Sequence, residues 1–139
     1  MPAWYIHTII NLIIFIPVLI LLKIFSWDLF LLIIVWGVLI DIDHLIYYFY
    51  KLRTFNFSKV LKYSNKDFIL DRPHFYLFHT IDFFTVFGII IYLKNFDIIL
   101  TLLFLTGLLH WISDSIRHYI HHRNFSWLKY YSLLYYLLK

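Results

Sequence analysis

From Leu29 to Tyr50 the chain is apolar at every position except one group, Asp41-Ile42-Asp43-His44. A run of that length reads as a helix crossing a bilayer, whose hydrocarbon core of ~30 Å needs about 20 apolar residues. Ionisable side chains inside such a run are expensive. An Asp at the centre of a spanning helix costs ~2.5–3.5 kcal/mol on insertion scales, so such groups face the interior of a bundle, find partners and mark function. The fold must therefore bring partners to Asp41, Asp43 and His44, and this requirement limits how the rest of the chain can be arranged.

Composition points the same way. Hydrophobic residues make up 63% of the 139 and aromatic residues 23%, against 14% charged. A soluble domain of this length has no use for so much apolar surface, so the expected class is an all-α integral membrane protein forming a single domain. The chain has no Cys, which excludes disulfides and thiolate metal ligands. It also has no Glu, so every side-chain carboxylate is an Asp, and acid–base or ligand roles fall to Asp and His. The net charge of +4 resides in loops and tail, where it orients spans and meets anionic lipid; no nucleic-acid partner is expected.

The apolar runs predict about four transmembrane helices, near residues 6–25, 27–50, 73–93 and 96–120. Met1 to Phe25 lacks a basic leader and a small-residue cleavage site, so it reads as a retained first helix. Between the second and third spans, Leu52 to Arg72 forms a polar, basic loop long enough to serve as a cover, with Ser58 as a candidate cap for a short amphipathic turn. The tail at 125–138 is aromatic and too short to span, which predicts an interfacial helix. Basic residues concentrate in the long loop (Lys51, Arg53, Lys59, Lys62, Lys66, Arg72) and in the tail (Arg123, Lys129, Lys139). The positive-inside rule then places both termini and the loop on the cytoplasmic side of the cell membrane.

That topology gathers the ionisable residues. Asp41, Asp43 and His44 lie in the cytoplasmic half of the second span. His74, His79 and Asp82 open the third, and His110, Asp114 and His118 close the fourth on the same side. His110, Asp114 and His118 follow i, i+4, i+8, one stripe along a helix face. Imidazole nitrogen and carboxylate oxygen both suit zinc or another divalent ion at ~2.0–2.2 Å. On a regular helix Asp41 and His44 face one way and Asp43 roughly the opposite way. Either Asp43 supports a ligating His, or the helix is distorted so that both carboxylates bind. The same groups could instead form a hydrogen-bonded helix contact without any metal.

The ordered groups Gly37-Val-Leu-Ile-Asp41-Ile-Asp43-His44, His74-x4-His79-Thr80 and Gly107-Leu-Leu-His110-x3-Asp114 resemble those of the small predicted membrane-bound metal-dependent hydrolases (YdjM-like). Ile40 stands where that family has Pro, Phe75-Tyr76 where it has Arg-Gly, and Thr80 where it has Ser. More distantly, His and Asp on helices in this order are similar to the helical zinc phospholipase C and P1 nuclease group. The resemblance implies hydrolysis of a phosphoester.

Three functions are compatible with these residues. In the first, a membrane-embedded hydrolase, one or two divalent ions, expected to be zinc, are held by Asp41, Asp43, His44, His79, His110 and Asp114. Proton transfer falls to His74, Asp82 or His118, and the substrate is a lipid-like ester or phosphoester. The second is a metal-binding membrane protein without turnover. The third, an ion transporter, needs polar stations in the outer half-spans, where Tyr92 is the lone ionisable residue.

Overall fold

Hydroxyl and carboxylate side chains set where the helices begin. Ser26 Oγ accepts from the Leu29 N–H at 3.2 Å, Thr80 Oγ1 from Phe83 N–H at 3.1 Å, and Asp97 Oδ1 from Ile99 and Leu100 N–H at 3.0 Å each. Each satisfies donors that a helix start leaves open. The computed structural model describes residues 4–69, 76–123 and 132–138. Among these the regular structure is entirely helical, as the sequence predicts: α1 (Trp4–Leu21), α2 (Trp27–Leu39), α3 (Ile42–Leu52), α4 (Phe57–Ile69), α5 (Ile81–Leu93), α6 (Ile98–His122) and α7 (Leu133–Leu137), with a 3-10 turn at Leu77–His79.

The bundle is assembled around α2 and α6. Phe15 and Leu19 of α1 pack with Ile33 of α2 and Leu102 of α6 in a buried apolar cluster. The Trp36 indole N–H donates to the Leu103 carbonyl at 2.9 Å, and further along the same pair of helices Asp41 meets His110. Contacts that advance together in this way mean that α2 and α6 run parallel. An aromatic ladder joins α5 to α6, with Phe84 against Trp111 and Phe87 against Phe104, so these two run antiparallel. Gly107 makes the close approach possible: a Cβ there would lie 3.0 Å from Ile40 Cδ1 and 3.2 Å from Phe84 Cε1. It stands one turn before His110 and lets three helices converge there.

Two helices among the described residues are long and apolar enough to cross a membrane, Trp27–Leu52 (α2 with α3) and Ile98–His122; the apolar helices Ile9–Leu21 and Ile81–Leu93 are shorter. This is fewer than the four spans expected. The third span was expected from residue 73, yet α5 begins only at Ile81, because Leu77–His79 adopt a 3-10 turn and Thr80 is extended as the helix cap. Its 13 residues reach ~20 Å at 1.5 Å per residue, short of the hydrocarbon core. The first helix ends at Leu21, ahead of Phe25, where Lys23 takes a left-handed conformation with φ 57°.

The long loop also differs from expectation. It contains the 13-residue helix α4, where a short turn was expected. Asn56, and not Ser58, caps it, its Oδ1 accepting from Lys59 N–H at 3.0 Å. Val60, Ser64 and Asp67, at i, i+4 and i+7, form the buried face of α4. Asp67 accepts from Lys51 Nζ at 2.9 Å and from the Tyr48 hydroxyl at 3.2 Å, which fastens α4 to α3. Of the tail predicted as an interfacial helix, residues 124–131 lie outside the described residues and α7 is the helical part.

Candidate metal centre

The site is made by two departures from regular helix. At Ile40–Asp41 the second apolar helix tightens. Asp41 N–H bonds to the Val38 carbonyl at 3.2 Å in an i to i+3 pattern, and Asp41 has φ −79° and ψ −1°. The second departure is the 3-10 turn, which ends at His79; His79 N–H bonds to the Tyr76 carbonyl at 3.1 Å. Short 3-10 segments of this kind redirect side chains that a continuous helix would aim elsewhere. By contrast, His110 and Asp114 come from the regular interior of α6, one turn apart on one face.

These elements bring four donor atoms together. His79 Nε2 lies 3.8 Å from Asp41 Oδ1 and 3.5 Å from Asp114 Oδ2. His110 Nε2 lies 3.5 Å from each of the same two oxygens. The four contacts form a ring of alternating nitrogen and oxygen. They are longer than the 2.7–3.2 Å usual for an N–H···O hydrogen bond. They match the ligand-to-ligand edge of about 3.4 Å that a tetrahedron with ~2.1 Å metal–ligand bonds requires. Donor chemistry and spacing both fit, so this buried group could hold a metal ion.

Burial is uneven across the group. The His79 and His110 side chains are fully enclosed, whereas Asp41 and Asp114 keep 14% and 13% of their side-chain surface exposed. The imidazoles are enclosed and the two carboxylates are partly exposed. His44 sits beside them with 17% of its side chain exposed. Its ring stacks on Tyr76 at 3.6 Å between centroids, and its Nε2 lies 3.9 Å from Asp41 Oδ1 and 4.0 Å from Asp43 Oδ1. Asp43, His44 and His79 form a second group with donor atoms close enough for an ion.

The remaining sequence candidates lie elsewhere. Asp82 accepts a hydrogen bond from the Leu133 N–H, tying α5 to α7. His118 is two turns beyond His110, ~12 Å along the helix axis, and its ring lies 4.4 Å from that of His122. That separation is too large for His110 and His118 to share an ion. His74 lies outside the described residues. Sequence reasoning missed Tyr76, the stacking partner of His44, and the contact of Asp67 with Lys51 and Tyr48. A signal for the latter was present: Asp67 stands on the buried stripe of an otherwise basic segment.

Comparison with protein-family models, with curated proteins and with solved structures finds no match to this chain.

Proposed function

We propose that the protein is a membrane-embedded, metal-dependent hydrolase, with zinc as the metal and an ester or phosphoester of an amphiphilic molecule as substrate. The observation that carries this reading is the ring of Asp41, His79, His110 and Asp114 at 3.5–3.8 Å, with the imidazoles enclosed and the carboxylates partly exposed. A divalent ion held there supplies a Lewis acid and lowers the pKa of a bound water to ~7. The chain itself provides the rest. Asp41 and Asp114 stand where a substrate would arrive, and His44, stacked on Tyr76, is placed to take up and return a proton.

The membrane placement draws on the same geometry. Asp41 and His110 lie 14 and 12 residues from the starts of α2 and α6, ~18–21 Å along parallel helices. If Trp27 and Ile98 sit at one face of a ~30 Å core, the site lies in the opposite leaflet. The basic residues of the long loop and tail make that leaflet cytoplasmic. On this reading α1 and α5 cross with help from their flanking turns, which gives the four-span arrangement and cytoplasmic termini.

One observation favours a second reading. Four protein donors complete a tetrahedron, as in structural zinc sites, while catalytic sites commonly keep one position for water. The protein would then be a metal-stapled membrane bundle without turnover. Elemental analysis of detergent-purified protein, wild type beside His110→Ala, is the first experiment, followed by a panel of lipid and phosphoester substrates with and without chelator. About one equivalent of zinc, lost in the variant, together with chelator-sensitive hydrolysis supports the hydrolase. Bound metal without turnover of any substrate supports the staple, and hydrolysis that survives complete metal removal defeats both.

A further inference from the structure

The sequence leaves the role of Asp43 open between ligand and support. The structure places it on the other side of the His79 ring from the four-donor group. His79 turns Nε2 toward Asp41 and Asp114 and Nδ1 toward Asp43, whose Oδ2 is 3.5 Å away. The two nitrogens of one imidazole cannot face the same ion, so Asp43 approaches a different edge of the ring from the ring's own partners Asp41 and Asp114. The same Oδ2 also accepts the Phe78 N–H at 2.9 Å. Phe78 belongs to the 3-10 turn that carries His79. Asp43 therefore bonds the backbone beneath the ring and stands against the ring's Nδ1 edge.

We infer that Asp43 is a positioning residue: it keeps the His79 proton on Nδ1 and fixes the 3-10 turn, so that the Nε2 lone pair faces Asp41, His110 and Asp114. The inference rests on the metal reading above and specifies one ion rather than two. A second ion between Asp43, His44 and His79 would need the His79 ring deprotonated at both nitrogens. A carboxylate behind a ligating imidazole raises its basicity and fixes its tautomer, and loss of such a partner commonly weakens metal binding ~10–100-fold. The spacing Asp-x-Asp then has a physical meaning. Asp41 and Asp43 reach one imidazole from two sides, Asp41 at the tightened turn and Asp43 in the first turn of α3.

The test is cobalt(II) titration of full-length protein in detergent, comparing wild type, Asp43→Ala, Asp43→Asn and His110→Ala, with circular dichroism to verify folding. Wild type is expected to bind one equivalent with the intense visible bands of tetrahedral cobalt. Asp43→Ala should retain that stoichiometry and the tetrahedral bands but bind ~10–100-fold more weakly. Asp43→Asn, whose amide oxygen can still accept from Nδ1–H and Phe78 N–H, should recover much of the loss. Histidine nitrogen NMR of the zinc-loaded protein adds a readout of the tautomer: the Nδ1–H signal of His79 should shift in Asp43→Asn. Two cobalt ions in wild type, one of them lost in Asp43→Ala, would make Asp43 a ligand and overturn the inference. Equal affinity in wild type and Asp43→Ala would overturn it while leaving the metal site standing. No cobalt binding by folded wild type would remove the metal reading and the inference together.

Discussion

Two buried polar contacts in this molecule look alike in residue type and differ in how they are closed. Asp67 is 7% exposed and meets Lys51 at 2.9 Å and Tyr48 at 3.2 Å. A cation, an anion and a hydroxyl stand at bonding distance, so this contact is complete within the protein. The group at Asp41, His79, His110 and Asp114 has two carboxylates facing two imidazoles at 3.5–3.8 Å, with a third carboxylate, Asp43, behind His79. The cations in the helical segments that supply these residues are Arg117, three residues beyond Asp114 on α6, and Lys51 at the end of α3. The first contact fastens α4 to α3. The second has donor atoms spaced so that they could hold a metal ion.

Substitution at the two carboxylates is the strongest way to break that distinction. Asp114→Asn should reduce divalent-ion affinity by more than the ~10–100-fold that loss of a supporting group costs, measured by competition with a chromophoric chelator. Asp67→Asn should leave metal affinity unchanged and lower stability by ~1–3 kcal/mol through poorer pairing of Lys51 and Tyr48, read as a lower melting temperature in detergent. A metal defect in the Asp67 variant would mean that the two contacts are not separate.

The pH dependence sharpens the same contrast. Imidazole nitrogen and carboxylate oxygen must give up their protons to bind a metal, so metal and proton compete for the site. Divalent-ion affinity should therefore rise from mildly acidic to neutral pH, while Asp67 and its contacts with Lys51 and Tyr48 stay as they are over that window. Affinity that does not change with pH would place the ion away from His79.

Smaller effects come from packing and capping. Gly107→Ala forces a Cβ to 3.0 Å from Ile40 and 3.2 Å from Phe84, which should cost ~1–3 kcal/mol of stability and weaken metal binding by spreading α2 from α6. Asn56→Ala removes the α4 cap at 3.0 Å and should cost ~1 kcal/mol, read by thermal unfolding, with metal content unchanged. If the Asn56 variant loses metal, α4 does more for the site than lie against α3.

How much of this was legible from residues alone differs by element. α6 was legible as a helix: His110 and Asp114 stand at i, i+4 in its regular interior, and periodicity locates them, though it puts His118 on the same stripe. α2 was legible as an apolar run. Its break at Asp41 was not, because no Gly or Pro marks it, and the i to i+3 bond there follows from packing against α6 and the 3-10 turn. The start of α5 was misplaced for a related reason. Pro73 is a good first-turn residue, but Thr80 is the cap, its Oγ1 accepting from Phe83 N–H, and a 3-10 turn at Leu77–His79 precedes it. Asp82 and His118 matched the pattern of site residues yet point to α7 and to His122, which one-dimensional spacing does not reveal.

By itself, then, the sequence determined the helical class, the order of the apolar helices and the pool of Asp and His from which a site could be drawn. These follow from local properties, since hydrophobic runs, periodicity and residue chemistry act over a few turns. The tertiary structure decided which members of that pool meet, which edge of His79 each carboxylate addresses, and that Asp67 closes with Lys51 instead of joining the others. Those choices depend on two short departures from α-helix and on the approach allowed at Gly107, and such features are set by distant parts of the chain packing against one another.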